Sequence, residues 1–387
     1  MSIEARKEYL KAIRDRYQKA DRKYKTTILN EFCAVCRYSR KYAIRVLNSK
    51  ASMREKKPGR KVKYDAEFAS HLKELWLLMG MICSKKMKVA MPTWMPFYLA
   101  QTEVSWSVQI KLKHISPATM DRVLKPFRAQ AERRGLSTTR PDLLIKNKIP
   151  IKLMSGRDIK RPGFVEADTV AHCGDSISGF YASSLTMTDI YSGWTENRAC
   201  WTKGKTPVLN SIKSIEEDLP FAMWGFACDN GTEFLNYELL DYFKRYRSVP
   251  VDFVRRRPYK KNDNAHVEQK NWTHVRQLFG YERFEDEKLL PLMNEIYLRW
   301  NTLNNFFIPV MKLESKTRVG AKIKKKYDEP QTPYQRLIEC AELDDDEKEV
   351  LKNRYQTLNP IELRKGLNDK LQTFFQTVKR QKFKRVG

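Results

Sequence analysis

The stretch that decides the fold is FACDNGTEFL, residues 226–235. It contains the end of an apolar run, FAMWGFAC, and then changes abruptly to Asp229, Asn230 and Gly231. Asparagine and glycine tolerate left-handed backbone angles, so this pattern is typical of the turn that ends a buried strand. An aspartate at the carboxyl end of a strand can also hold a cation. The rest of the chain has to decide between these two interpretations.

The composition points to a polyanionic partner. The 387 residues carry a formal net charge of +28, and the first 150 hold 34 lysines and arginines against 13 aspartates and glutamates. A charge of this size repels itself unless a polyanion is the usual partner. We therefore expect DNA or RNA as the partner, with binding that weakens steeply as salt is added. An acidic membrane surface is the alternative, but the sequence shows no lipid anchor or strongly amphipathic terminal segment.

The sequence gives no sign of a membrane or an oxidising compartment. The mean hydropathy is −0.63, and no apolar run approaches the roughly 18 residues that span a bilayer. The start, MSIEARKEYL, lacks the apolar segment of a signal peptide. The seven cysteines are irregularly spaced, and the single CxxC, Cys33 and Cys36, has no second pair to complete a zinc site. We expect reduced, packed thiols in a cytoplasm.

Residues 1–53 are predicted to form a helix-turn-helix module. In KTTILNEFCAVCRYSRKYAIRVLNS, one helix runs from Thr26 to about Cys33, and a second begins after Ser39, a good N-cap. The second helix would present basic residues outward and apolar residues inward, namely Arg40, Lys41 and Arg45 against Ala43, Ile44 and Leu47. A generic helical hairpin is the alternative interpretation.

A second helical module is predicted at residues 66–135, after a basic linker at 54–65. Arg60 and Lys61 of the linker are candidate phosphate contacts. SPATMDRVLKPF, residues 116–127, has the capped start of a recognition-type helix, with Arg122 and Lys125 facing outward. Residues 136–159 are polar, basic and proline-containing, which predicts another linker.

Residues 160–284 show the pattern of an α/β core. GFVEADTVAH, GFYASSLTMTDIYSG and WTENRACWT are rich in β-favouring residues and predict three successive antiparallel strands. A helix, the strand ending at Cys228, a helix, the strand VDFVRRR and a helix near Asn264 follow. This is the element order of the ribonuclease-H-like fold, with a mixed five-stranded sheet. Residues 285–387 are predicted to be mostly helical, with a loop-like basic stretch at 315–333.

Three acids take positions on this predicted sheet. Asp168 lies in the middle of the first strand and Asp229 at the end of the fourth, and these strands are neighbours in a sheet of this order. Two adjacent carboxylates repel unless a cation holds them, and oxygen ligands favour Mg²⁺ or Mn²⁺. Glu268, on the helix after the fifth strand, is the third candidate. Such a triad can hold two metal ions for phosphodiester chemistry.

Other titratable residues near these acids are weaker candidates. Glu166 shares a strand face with Asp168, and it is either a fourth ligand or a charge at the edge of the sheet. Asp263 is a rival to Glu268 as the third ligand. Asp175 in a hairpin turn and Asp189 at a strand end are expected to be structural.

The segments EADTV, CDNGTEF and NDNAHVEQKN resemble the three motifs of DDE transposases and integrases of the retroviral-integrase superfamily. Bacterial insertion-sequence transposases with an integrase core domain are the most similar group, and the resemblance covers roughly residues 160–330. It leaves 60 residues between Asp168 and Asp229 and 38 between Asp229 and Glu268. The resemblance implies two Mg²⁺ or Mn²⁺ ions per active site and at least a dimer on double-stranded DNA. It also implies a bacterial cytoplasmic protein that is associated with the nucleoid.

The sequence therefore predicts a DNA transposase. Its helical modules would bind the terminal inverted repeats of a mobile element, and its core would expose 3′-OH ends and join them to target DNA. Lys260, Lys261 and Asn271 are further candidate DNA contacts around the site. A structure-specific metal-dependent nuclease and a non-catalytic DNA-binding regulator with a relic core are the alternatives.

Overall fold

The computed structural model describes residues 1–49, 63–128, 159–245, 247, 249–255 and 269–386. The chain divides into two compact units, Met1–Lys63 and Tyr64–Gly387. Among the described residues, no helix combines the length and the apolar character needed to cross a bilayer.

Within its described residues, 1–49 and 63, the N-terminal unit contains three helices, α1 (Ile3–Lys19), α2 (Arg22–Cys36) and α3 (Arg40–Asn48). Phe32, Cys36 and Leu47 are buried in its small core. α2 is longer at both ends than the predicted Thr26–Cys33 helix, and it stops where Arg37 adopts a left-handed φ of 54°. The helix-turn-helix geometry stays a prediction.

The packing of α3 corrects one sequence expectation. Ala43 and Leu47 are buried as predicted, but Ile44 is 38% exposed. The helix is only nine residues long and contacts its unit along a narrow stripe, so a residue directly beside Ala43 falls outside that stripe.

A mixed five-stranded sheet forms the centre of the second unit. Its strands are β1 (Phe164–Ala171), β2 (Ala182–Asp189), β3 (Thr195–Trp201), β4 (Gly225–Cys228) and β5 (Asp252–Arg255). The spatial order is β3-β2-β1-β4-β5. β1, β2 and β3 pair antiparallel, whereas β1, β4 and β5 pair parallel. The predicted strand order is confirmed, and this topology is consistent with a ribonuclease-H-like core.

Helices cover both faces of this sheet. α8 (Lys205–Asp218) and α9 (Tyr237–Arg245) pack on one face, where Phe226 of β4 lies against Phe243 of α9. The opposite face is covered by α10, which comprises the π-helical segment Asn271–Arg276 and Gln277–Phe279, and by α11 (Leu290–Phe307). Strands of a sheet that is covered on both faces are buried along most of their length, as β1 and β2 are. Both strands nevertheless contain buried polar residues, among them Glu166 and Ser184.

The remaining helices share one hydrophobic core with α10 and α11. They are α4 (Ala66–Leu78), α5 (Ser84–Leu99), α6 (Trp106–His114), α7 (Pro117–Arg128), α12 (Pro333–Ile338), α13 (Asp345–Gln356) and α14 (Pro360–Val386). Trp94 Nε1 donates to the carbonyl oxygen of Phe307 at 3.1 Å, and Arg364 Nε donates to that of Leu78 at 2.6 Å. The domain boundaries predicted near residues 135, 159 and 284 stay predictions.

The basic stretch near residue 315 is a hairpin and not the predicted loop. β6 (Leu313–Val319) and β7 (Lys322–Tyr327) pair antiparallel across a two-residue turn. Lysine favours strands weakly and neither face of the hairpin is buried. The alternating apolar pattern that reveals a strand in sequence is therefore missing here.

Candidate functional site

The candidate site lies where β1 and β4 run side by side. The last paired residues of these two parallel strands are Ala167 and Cys228. Asp168, which lies inside β1, and Asp229, which follows β4, are each one position beyond this last β1–β4 pair. Neighbouring strands lie about 4.8 Å apart, so the two aspartates are adjacent. The structure thus brings together two of the three acids predicted from the sequence.

Both aspartates belong to the same face of the sheet. Ala167 and Cys228 lie in the core against α8 and α9. Because successive side chains of a strand point to opposite faces, Asp168 and Asp229 are directed to the other face, where α10 packs. Each is only partly buried, so a solvent-borne group can reach them.

Hydrogen bonds orient the Asp168 carboxylate. Its Oδ1 accepts the backbone N–H of Thr169 at 2.8 Å, and its Oδ2 accepts Nδ2 of Asn271 at 2.6 Å. Asn271 is 103 residues away in sequence and begins the π-helical segment of α10. Hydrogen bonds to an ionised carboxylate are short and strong, so Asn271 fixes the position of this carboxylate.

Asp229 is both a turn residue and a member of the site. Its Oδ1 accepts the backbone N–H of Gly231 at 2.9 Å, the Asx arrangement that ends a strand in a tight turn. Arg255 Nη1 donates to Oδ1 of the neighbouring Asn230 at 3.3 Å, which ties the turn to β5. Local hydrogen bonding thus holds the carboxylate at the end of its strand.

The donor set fits a hard divalent cation. Oδ1 of Asn271 is buried and has no hydrogen-bond partner among the described residues, although buried polar atoms are normally satisfied. Two carboxylates and an amide oxygen are oxygen ligands of the kind that Mg²⁺ and Mn²⁺ prefer. Asp168, Asp229 and Asn271 are therefore the described residues suited to hold such a cation.

The third predicted acid, Glu268, lies outside the described residues, as do Asp263, Lys260, Lys261, Arg60 and Lys61. Within the part of the chain that the structure describes, no cluster of three histidine, cysteine or acidic side chains could hold a metal ion. The role of Glu268 as a ligand stays a prediction. It precedes Asn271 by three residues, and the described helix is already formed at Gln269.

Sequence reasoning missed Glu233, which follows Asp229 by four residues in CDNGTEF. Its side chain is buried, and Oε1 accepts the Thr169 hydroxyl at 2.8 Å. Lys203 Nζ lies 3.6 Å from the same oxygen. Glu233 therefore links the Asp229 turn to the residue after Asp168. Its proximity to the motif was the available signal.

The structure also describes three other acids that the sequence analysis considered, namely Glu166, Asp175 and Asp189. Glu166 is buried in the central strand β1, so the expectation of a charge at the edge of the sheet is wrong. Asp175 is exposed between β1 and β2. Asp189 ends β2, where it accepts the backbone N–H groups of Gly163 and Ser192 at 2.9 and 2.6 Å. Burial raises the pKa of Asp189 to about 6.

Two histidines on this face are packed into the core. His172 Nε2 is 2.7 Å from the Ser184 hydroxyl, and burial lowers the pKa of His172 to about 3. His274 Nδ1 is 3.1 Å from Oδ1 of Asn197, and burial also places the pKa of His274 well below its ordinary value. Both imidazoles are neutral at physiological pH, which suits packing and hydrogen bonding.

A cavity of about 300 Å³ is lined in part by Thr273, His274 and Gln277 of α10. Lysines from three distant segments line it, namely Lys86, Lys270 and Lys312. Lys270 Nζ donates to the carbonyl oxygen of Gly193 at 3.3 Å, and burial lowers the pKa of Lys270 to about 7. Only the fold brings these lysines together, so no sequence motif could reveal them.

The predicted DNA-contacting residues that are described lie mostly on the surface. Arg40, Lys41 and Arg45 are exposed on α3, and Arg122 and Lys125 are exposed on α7. Their contact with DNA stays a prediction. Asn271, also predicted to touch DNA, donates a hydrogen bond to Asp168, and its contact with DNA stays a prediction as well.

The described structure is thus a mixed sheet with ribonuclease-H-like strand order that carries two adjacent carboxylates, Asp168 and Asp229. No family model matches the chain. It is 34% identical over 343 residues to the uncharacterized protein y4rM of Sinorhizobium fredii (strain NBRC 101917 / NGR234), across 87% of this chain and 96% of that protein. The chain therefore belongs to the y4rM family. It also matches the crystal structure of the catalytic core domain of BIV integrase, with 13% identity and a TM-score of 0.27 over 45% of this chain and 91% of that one.

Proposed function

We propose that the protein is a DNA transposase that cuts the ends of a mobile element and joins the resulting 3′-OH groups to target DNA. The observation that carries the proposal is the placement of Asp168 and Asp229 side by side at neighbouring strands, with Asn271 bonded to Asp168. Paired carboxylates on a rigid sheet are suited to phosphoryl transfer assisted by divalent cations.

The residues of this chain have defined parts in the proposed reaction. Asp168, Asp229 and Glu268 would hold two Mg²⁺ or Mn²⁺ ions. When bound, such cations activate the attacking oxygen and stabilise the leaving oxygen of the phosphodiester. Asn271 keeps the Asp168 carboxylate in one orientation, and the Asx turn does the same for Asp229. Fixed ligands reduce the reorganisation that the reaction requires.

The charge of the chain supports DNA as the substrate. A net charge of +28 favours a polyanion, and exposed basic residues on α3 and α7 offer contacts beyond the sheet. Recognition of terminal inverted repeats by these helices and assembly of at least a dimer belong to the proposal. Two element ends have to be cut and joined together.

The test is an assay of cleavage and joining on a labelled duplex that carries the ends of the element, in Mg²⁺ or Mn²⁺. The variants are Asp168→Asn, Asp229→Asn and Glu268→Gln. Asp175→Asn is the matched control, because Asp175 is an exposed acid in the β1–β2 turn. We expect the wild type and the control to cut and join, and the three site variants to bind DNA without doing either.

Other outcomes have distinct meanings. Cleavage without joining, also on a pre-cut end, would replace the transposase proposal with a nuclease. DNA binding without cleavage in any metal would replace it with a DNA-binding regulator. Full activity in Asp229→Asn would show that the paired aspartates are not the catalytic site.

A further inference from the structure

Among the described elements of the second unit, the β6–β7 hairpin is the most exposed. All seven residues of β6 and all six residues of β7 are exposed. The turn at Gly320 also faces open space, since a Cβ added there would meet nothing within 4 Å. At about 3.3 Å per residue, the strands form an arm roughly 20 Å long. An isolated two-stranded hairpin is only marginally stable in water. This arm therefore needs contacts at its base that hold it to the rest of the unit, and its exposed strands need a functional explanation.

The base of the arm supplies the anchor. The Asp328 carboxylate accepts the backbone N–H of Lys312 at 2.6 Å and Nη2 of Arg336 at 2.7 Å. Asp328 N–H in turn donates to the carbonyl oxygen of Lys312 at 3.0 Å. Just outside these residues, Val310 and Gln331 form a β-bridge. The arm is therefore fixed to α12 at its root, and its strands stand in solvent.

The arm is strongly basic, which favours binding to an anionic partner. Residues 313–327 contain six basic side chains and one acidic side chain, Glu314. Lys316 lies directly opposite Lys325 across the two strands. Like charges in this position destabilise a hairpin. Such a pair is retained at little benefit to the isolated protein, which indicates an anionic partner.

The distribution of charge over the two faces selects the partner. Lys316 and Lys325 lie on one face, and Lys322, Lys324 and Lys326 lie on the other. A membrane surface would require one apolar face, but the exposed Val319 and Ile323 lie on opposite faces. A two-stranded ribbon with cations on both faces fits the DNA major groove, which is about 12 Å wide and has phosphates on both walls.

We propose that the β6–β7 hairpin is an arm that inserts into a groove of duplex DNA and grips its phosphates from both strand faces. The inference rests on the proposed function because it takes DNA as the partner. It adds a contact surface that is separate from the candidate site and from the basic helices.

The test measures DNA binding by the full chain as a function of salt. The variant is Lys316→Gln/Lys325→Gln, and the matched control is Lys288→Gln/Lys352→Gln, which removes two exposed lysines elsewhere in the same unit. Each lost phosphate contact lowers the slope of log affinity against log salt by roughly 0.9. We expect the arm variant to lower the slope by about 2 and the control to leave it unchanged.

Two further measurements keep the result unambiguous. Since none of the arm is buried and the substitutions remove a like-charge pair, the arm variant should melt no lower than the wild type. Trypsin should cut the free protein after the arm's lysines, and a bound duplex should block these cuts. The proposal is refuted if the arm variant has the salt slope of the wild type, if the control lowers the slope equally, or if bound DNA does not block cleavage of the arm. It is also refuted if the two substitutions change the salt dependence of binding to anionic vesicles but not that of binding to DNA.

The failure of the arm differs from the failure of the proposed function. If the wild type binds DNA and the arm variant binds identically, the proposal that the arm contacts DNA is refuted and the transposase proposal is unaffected. If the wild type does not bind any duplex, DNA is not the partner and both proposals fall together.

Discussion

Replacing Asn271 with alanine tests the geometry of the candidate site most directly. The side chain donates one hydrogen bond of 2.6 Å to Oδ2 of Asp168. A hydrogen bond to a charged group contributes about 1.5–3 kcal/mol. At about 1.4 kcal/mol for each factor of ten, complete loss of this positioning in the transition state lowers the rate of strand cleavage roughly 10- to 150-fold. DNA affinity should not change.

The assay separates chemistry from binding. Single-turnover cleavage at saturating DNA gives the rate, and a gel shift in EDTA gives the affinity. Because Asn271→Ala leaves Asp168 less well oriented, the Mg²⁺ concentration for half-maximal cleavage should also rise. Gln277→Ala, an exposed change on the same helix, is the matched control and should have wild-type values for all three quantities.

Two results would refute this reasoning. A wild-type cleavage rate in Asn271→Ala would show that the hydrogen bond to Asp168 does not position the carboxylate for the reaction. A loss of activity explained entirely by weaker DNA binding would instead support the prediction from sequence that Asn271 is a DNA contact.

Three further predictions concern the framework around the site. The pKa of Asp189 is raised to about 6 from an ordinary 3.8, which means that the folded state holds this proton more tightly than the unfolded state. The free energy of unfolding should therefore fall as the pH rises from about 4 to about 6. Asp189→Asn should remove up to about 3 kcal/mol of this fall, measured by urea unfolding across the same pH range. Gly225→Ala would place a Cβ in the ring of Phe164 and should cost about 1–3 kcal/mol or more through overpacking, measured as a lower urea midpoint. Trp94→Ala removes a fully buried ring and its hydrogen bond to Phe307, and calorimetry should show a loss of about 3–5 kcal/mol.

The strand order and the two aspartates could be predicted from the sequence because their signals are local. Three β-favouring runs and an apolar run ending in Asp-Asn-Gly mark the strands, and the order of the elements places Asp168 beside Asp229. An aspartate that follows a strand has its position set by the strand itself. Nothing beyond the pairing of neighbouring strands was needed.

The rest of the site depends on long-range packing. The contact between Asn271 and Asp168 joins residues 103 positions apart in sequence. Predicting it requires knowing which side of α10 faces the sheet, and the π-helical segment shifts this side away from what the 3.6-residue periodicity of an α-helix would indicate. The lysines of the cavity come from three distant parts of the chain. The hairpin escaped prediction for a different reason, because an element exposed on both faces has no hydrophobic alternation.

The shared core of the second unit has a consequence for synthesis of the protein. Leu78 and Arg364, 286 residues apart, are joined by a hydrogen bond, and Phe374 of α14 packs on Phe279 behind the sheet. Contacts this far apart in sequence form late, because the loop between them has to close first. The helices α4–α7 leave the ribosome early and remain without their partner until translation passes α14. A transcript broken before this helix would encode both aspartates of the site yet yield a chain with an open core, prone to aggregation.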